Sequence, residues 1–198
     1  MNRKSREKMM EETRIKLITT ARRQFGTVGY ANTVMDELTS QAGLTRGALY
    51  HHFGDKKGLF KAVLEQLDEE LDARLAEVSS VSPNLWDAFV GRCHAYLRMA
   101  IEPEVQRIML RDAPSVLDAD HIQSMRLQCV NSIAFMLRQL MEQGVINKAS
   151  PELLARFING GLMDTALWIA ESEDNQESLD AAIASLDILI QGLTTSNN

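Results

Sequence analysis

A chain of 198 residues that is 45% hydrophobic and 24% charged has the composition of one or two folded domains, which excludes a disordered polymer. No apolar run approaches the roughly 20 residues that span a bilayer, and the basic start MNRKSREKMMEETR has no apolar segment behind it; neither membrane nor secretion is expected, and the expected location is cytoplasmic. The net charge of −6 hides an asymmetry, because residues 1–62 carry +6 and residues 63–198 carry −12, a basic head on an acidic body that keeps nucleic acid open as a partner.

Residues 1–10, with Arg3, Lys4, Arg6 and Lys8, read as a frayed basic arm, either solvated or laid along DNA. A helix is predicted from Glu11 to Val28, with Ile15, Ile18, Ala21, Phe25 and Val28 on one side and Gly29 as its stop. The stretch from Thr33 to Phe53, TVMDELTSQAGLTRGALYHHF, is the centre of the head. Val34, Met35, Leu38 and Ala42 fall on one helical face, Thr33 precedes them as an N-cap, and its spacing to Asp36 resembles a capping box. Gly43 suits the left-handed conformation of a helix stop, and after Leu44 the residue Thr45 can cap a second helix from Arg46 to Phe53. Two helices across so short a Gly-containing turn suggest a helix-turn-helix. In the second helix Ala48, Leu49 and Phe53 turn inward. Arg46, Gly47, Tyr50, His51 and His52 face outward, a surface of donors and rings without a carboxylate that suits a phosphate backbone.

Gly54 breaks this helix and Asp55 caps a long one to Val78, striped by Leu59, Phe60, Val63, Leu64, Leu67, Leu71 and Leu75. Lys56 and Lys57 occupy its first turn, where cations are unusual; a phosphate partner gives them a reason, and a solvated pair is the plain alternative. Ser79 to Pro83 reads as a linker. Helices are then predicted from Ser82-Pro83 to Ile101, and from Pro103 to Arg111 with Pro114 in the loop after it. Others run from Asp120 to Gln143, from Ser150-Pro151 to Glu171 and, after the polar ESEDNQES, from Leu179 to Leu193. No strand pattern or repeat is visible, so the expected fold class is all-α. An N-terminal three-helix helix-turn-helix domain, residues 1–60, is joined by the long helix to a larger C-terminal helical domain, residues 61–198. Cys93 and Cys129, far apart in apolar periodic stretches, read as buried structural thiols.

From Leu17 to Phe60 the chain resembles the DNA-binding domain of the TetR (tetracycline-repressor-like) family. The likeness rests on Ala21, Phe25, Gly29-Tyr30, Thr33, Glu37-Leu38 and Ala42-Gly43, then on Thr45, Gly47, Leu49-Tyr50, His52-Phe53, Lys56 and Leu59. It departs from the family pattern at Val34, Thr39 and Lys57. The resemblance implies a homodimer that places the helix Arg46 to Phe53 of each subunit in a major groove of a double-stranded DNA operator. The expected DNA-contacting set is Thr33, Thr45, Arg46, Gly47, Ala48, Tyr50, His51, His52 and Lys56. Within it the resemblance makes Arg46 and Ala48 base readers, Gly47 a point of close backbone approach, and Thr45, Tyr50, His51, His52 and Lys56 phosphate or groove-edge contacts. It also implies a C-terminal dimerisation domain that often holds a small-molecule effector.

A dimer follows from the residues as well, because the last two predicted helices are apolar on more than one side and need burial on more than one side. The expected interface comprises Phe157, Gly161, Leu162, Trp168, Ile183, Leu186 and Ile190, with Gly160-Gly161 permitting close helix approach; burial of both faces within one subunit is the alternative. Methionines and aromatic rings in the body suit either an ordinary core or an apolar ligand pocket, for which Trp86, Phe89, Cys93, Tyr96, Met109, Met136 and Trp168 are the candidates. The leading expectation is a ligand-released repressor. Its alternative is a DNA-binding regulator whose body is a protein-interaction module without a small-molecule ligand. An enzyme or metal protein using His51, His52, His94, His121 and the cysteines is disfavoured, since no spacing matches a metal or nucleophile motif. No catalytic residue, metal or cofactor is expected.

Overall fold

The computed structural model describes residues 3–195, with side chains from Arg6 onward. It is all-α, in the order α1 Arg3–Asn32, α2 Met35–Gln41, α3 Arg46–Phe53, α4 Lys56–Val81 and α5 Leu85–Met99. There follow a short α6 Pro103–Val105, a π-helical segment Gln106–Asp112, α7 Ala113–Val116, α8 Ala119–Glu142, α9 Pro151–Glu171 and α10 Asn175–Gln191. Two compact units result. The first takes residues up to Glu70 together with Pro103–Leu117; the second takes Leu71–Glu102 and the residues from Asp118 on. The head therefore extends past residue 60 and recruits a later segment that the sequence pattern alone assigns to the body.

In the first unit Leu17, Ile18, Ala21 and Phe25 of α1, Leu38 of α2, Leu49 of α3, and Leu59, Phe60, Val63 and Leu64 of α4 are buried. The rings of Phe25, Tyr30 and Phe60 stand 5.8, 5.2 and 5.1 Å apart in tilted and edge-on pairs, each worth about 0.5–1.5 kcal/mol beyond the area it buries. The covered stripe of α1 differs from expectation, since Ile15 and Val28 are exposed and Leu17 takes the inward place. Helix also begins at Arg3, so the basic arm is not frayed backbone: it is a run of good helix formers carrying a Lys8–Glu12 pair one turn apart. The DNA contact expected of that arm falls partly on Arg3 and Lys4, whose side chains lie outside the described residues.

Gly29 breaks α1 with φ 82°, and a side chain there would collide with the Arg107 guanidinium, whose Nη2 lies 1.9 Å from where a Cβ would stand. Arg107 Nη2 also donates to Val28 O at 3.1 Å. The Pro103–Val116 stretch grips α1 at further points. Arg22 donates to both Glu104 oxygens at 2.8 Å and to Glu70 at 2.6 Å, and Asp112 Oδ2 accepts the Tyr30 N–H at 2.6 Å. The expected loop at Pro114 is helical instead, because Pro114 falls in the first turn of α7, where the missing N–H has no partner to lose.

In the second unit Phe89, Cys93 and Leu97 of α5, Val130, Ala134, Leu137 and Leu140 of α8, Ala155, Leu162, Ala166 and Ile169 of α9, and Ile190 of α10 are buried. Helix ends follow capping chemistry, and two differ from expectation. Ser82-Pro83 caps nothing: α4 runs through the expected linker to Val81, Ser82 Oγ donates back to Val78 O at 2.7 Å, and α5 starts after Asn84, whose Oδ1 accepts the Asp87 N–H at 2.9 Å. The last helix begins at Asn175 rather than Leu179, because Asp174 Oδ1 accepts the N–H groups of Gln176 and Glu177 at 3.0 and 2.9 Å. Ser150 does cap α9, with Pro151 at its start. Burial pushes the Cys93 thiol up to about 12. Cys129 is exposed, contrary to expectation, because Val130, Ala134 and Leu137 carry the covered face of α8.

Candidate nucleic-acid interface

The turn between α2 and α3 is built from short-range bonds. Gly43 N–H donates to Ser40 O at 3.1 Å and Leu44 N–H to Thr39 O at 2.9 Å, which closes α2. Thr45 then accepts the Ala48 N–H on its hydroxyl at 3.2 Å and starts α3. Thr33 does not cap α2. Val34 stands at that position without a side-chain bond, and Thr33, 3% exposed, donates its hydroxyl to Gly29 O at 2.8 Å. Its hydroxyl is thus spent inside the head, away from the surface that the DNA-contacting set requires.

Leu49 anchors α3 in the core, which turns Arg46, Gly47, Tyr50 and His51 outward; Ala48 and His52 are half-buried at the edges of that face. The His51 and His52 rings lie 5.6 Å apart, and His52 lies 6.0 Å from the Phe53 ring. Arg46 reaches back to α2, its Nε 3.0 Å from Asp36 Oδ1 and its Nη1 donating to Asp36 Oδ2 at 3.3 Å. Its Nη2 donates to the Tyr50 hydroxyl at 3.4 Å, and its guanidinium carbon stands 5.8 Å from the centre of that ring. Asp55 Oδ1 accepts the Gly58 N–H at 2.7 Å at the start of α4. There Lys56 stands 4.6 Å over the Tyr30 ring and donates to Ala31 O at 3.3 Å. Burial lowers the pKa of Lys56, and the Asp112 carboxylate of the same unit opposes that shift.

In the second unit an apolar groove of about 490 Å³ runs along α9 and α10, with Leu97 of α5 in its lining. Six of the seven residues expected at a dimer interface line it, namely Phe157, Gly161, Leu162, Trp168, Leu186 and Ile190. Ile183 is half-buried outside that lining. Large apolar side chains stay in water here: Phe157 is 78% exposed, Ile188 76% and Leu189 71%. Nothing lies within 4 Å of where a Cβ on Gly160 or Gly161 would stand. The candidate ligand residues are not gathered in this groove, which takes only Trp168 of that set. Phe89 and Cys93 are buried in the core, Trp86 and Tyr96 are half-buried on the same helix with the Trp86 and Phe89 rings 6.1 Å apart, and Met109 belongs to the first unit. Leu154, Ile158 and Leu193 also line the groove. Among the described residues no cluster of three His, Cys, Asp or Glu side chains is placed to hold a metal ion, and no helix is long and apolar enough to cross a membrane.

Two family models match the chain: residues 17–63 match that of bacterial regulatory proteins of the tetR family, and residues 86–193 match a tetracyclin repressor-like C-terminal domain. A TetR-family transcriptional regulator from Pectobacterium atrosepticum has 48% identity over 100% of both chains and superposes with a TM-score of 0.85. The HTH-type transcriptional repressor AcnR of Corynebacterium glutamicum is 31% identical over 77% of this chain and 70% of its own, and the HTH-type transcriptional regulator AcrR of Shigella flexneri is 24% identical over 100% and 98%. With a matched helix-turn-helix head and a matched C-terminal domain, the chain belongs to the TetR family of DNA-binding transcriptional regulators.

Proposed function

We propose that the protein is a cytoplasmic homodimeric repressor that binds a near-palindromic operator and is released from it by a small molecule held in the acidic body. The observation that carries the proposal is the exposed face of α3, which offers Arg46, Gly47, Tyr50 and His51 and no carboxylate of its own, within residues 1–62 of net charge +6. On this reading Arg46 pairs with a guanine and Ala48 packs on a thymine methyl, each good base contact contributing about 1–3 kcal/mol of discrimination. Thr45, Tyr50, His51, His52 and Lys56 hold the phosphates that fix the register, and Gly47 lets the backbone approach.

Dimerisation is supported by the groove of α9 and α10, whose exposed Phe157, Trp168, Ile188 and Leu189 are matched by a second copy of the same surface in a two-fold arrangement. Such a dimer presents two α3 helices to half-sites about 34–36 Å apart. The effector part of the proposal rests on the family resemblance and on the half-buried Trp86, whose ring lies 6.1 Å from that of the buried Phe89, with Tyr96 half-buried further along the same helix. A ligand that prefers the form with a different half-site spacing lowers operator affinity by its differential binding to the two forms.

Selection from a randomised duplex library followed by gel shifts tests the proposal. The expected result is a two-fold symmetric site bound by two chains. Failure to enrich any symmetric site removes the repressor reading, and an operator complex that no metabolite releases favours the protein-interaction body instead.

A further inference from the structure

The contact between Asp36 and Arg46 spans the turn of the helix-turn-helix, from the first turn of α2 to the first residue of α3. Two nitrogens of the guanidinium meet the two carboxylate oxygens at 3.0 and 3.3 Å, and the third nitrogen meets the Tyr50 hydroxyl at 3.4 Å. We infer that Asp36 is a positioning residue for base recognition, which holds Arg46 in the orientation that reads its base pair and so sets specificity without touching DNA. The inference rests on the operator-binding reading above.

Three physical points carry it. The first is that folding does not account for the pair: its side chains are 58% and 63% exposed, and ion pairs this open to water contribute little to stability. Glu37 stands in the same first turn and serves the helix start as well, so the reach to Arg46 is what Asp36 adds. The second is that an arginine carries high rotamer freedom, and fixing it before DNA arrives removes part of the ordering cost of the contact. Each Nη has two N–H groups, so with one given to Asp36 and one to Tyr50 a second remains on each nitrogen, the number that guanine O6 and N7 take together. The third is that a carboxylate beside the reading face repels phosphate. Asp36 therefore weakens attraction to any duplex while improving the choice among duplexes, an exchange of affinity for selectivity.

That exchange gives a signature which a structural role would not produce. Full-length wild type, Asp36→Asn, Asp36→Glu, Arg46→Ala and the double variant D36N/R46A are titrated at one salt concentration. The duplexes are the selected operator, operators substituted at each base pair, and an unrelated duplex. Arg46→Ala is expected to relax selection at one base pair by about tenfold. Asp36→Asn relaxes the same pair by about fivefold and leaves affinity for the unrelated duplex unchanged or higher, with thermal unfolding as in the wild type. Asp36→Glu retains most of the selection, and D36N adds nothing in the Arg46→Ala background, because the carboxylate acts through the guanidinium. Wild-type selection in D36N, relaxation at a different pair, equal effects with and without Arg46, or an Arg46→Ala variant that relaxes no position each overturns the inference while leaving operator binding intact. A wild type that selects no symmetric site removes the operator reading and this inference with it.

Discussion

A methyl group at Gly58 would stand 2.0 Å from the carbonyl oxygen of Phe53, the last residue of α3, and a backbone atom cannot swing aside as a side chain can. Gly58→Ala must therefore push the end of α3 away from the start of α4. It is expected to cost about 1–3 kcal/mol in thermal unfolding and to weaken operator binding together with it; a variant with wild-type melting would show that the turn relaxes without loss. The cysteines give a second test. Cys93 is buried with its thiol pushed up to about 12, so almost none is thiolate near neutrality, whereas Cys129 is exposed. Brief treatment of the native protein with a maleimide should modify Cys129 and spare Cys93, as read by peptide mass, and equal labelling would contradict the burial. Composition reveals neither result. The collision at Gly58 depends on how closely two helices approach, and the difference between the cysteines depends on which face of α8 the neighbouring helices cover.

The helices themselves were largely legible, because periodicity and caps are local: Thr45, Ser150 and Asp55 accept the N–H groups expected of them. What remained hidden was the partner of each helix. The Pro103–Val116 stretch reads as part of the body, yet Glu104 and Asp112 bond to α1 of the head, since an ion pair between residues 82 apart leaves no periodic trace. Arg22 anchors this contact, and its bonds to Glu104 and Glu70 raise its pKa further above an ordinary arginine. Arg22→Ala leaves two partly exposed carboxylates without their cation and is expected to lower stability by about 1–2 kcal/mol. The pH dependence has a definite sign. Arg22 holds the Glu70 carboxyl below its usual range, so the contribution of Glu70 is present above the ordinary glutamate pKa and is lost as pH falls through the lower folded value. Melting curves of wild type and Glu70→Gln should therefore differ at neutral pH and draw together as pH falls below the ordinary glutamate range; a gap that persists in strong acid would mean that the charge is not what Glu70 supplies.

At the scale of the whole molecule the two units pose opposite problems. The head is charged outside and closed inside; the body leaves Phe157, Ile188 and Leu189 in water, which an isolated chain gains nothing by doing. The outward side of α3 was readable from its local pattern, since Arg46, Gly47, Tyr50 and His51 are exposed as expected, whereas Thr33 turns its hydroxyl inward to Gly29. The body gave only apolar helices, since a core, a ligand pocket and a subunit interface draw on the same side chains, and the fold sorts them by what stays uncovered. Phe157→Asp separates these roles. The side chain is outside the protomer core, so the substitution should leave each chain folded while placing a carboxylate against its symmetry mate in the proposed dimer. Sedimentation equilibrium is expected to show a monomer at concentrations where the wild type is a dimer. Because two linked heads bind a two-fold site with an effective concentration that a single head lacks, operator affinity should fall by about 100-fold or more, with single half-sites bound as before. A Phe157→Asp protein that remains dimeric would place the subunit contact elsewhere and leave the groove of α9 and α10 for a different occupant.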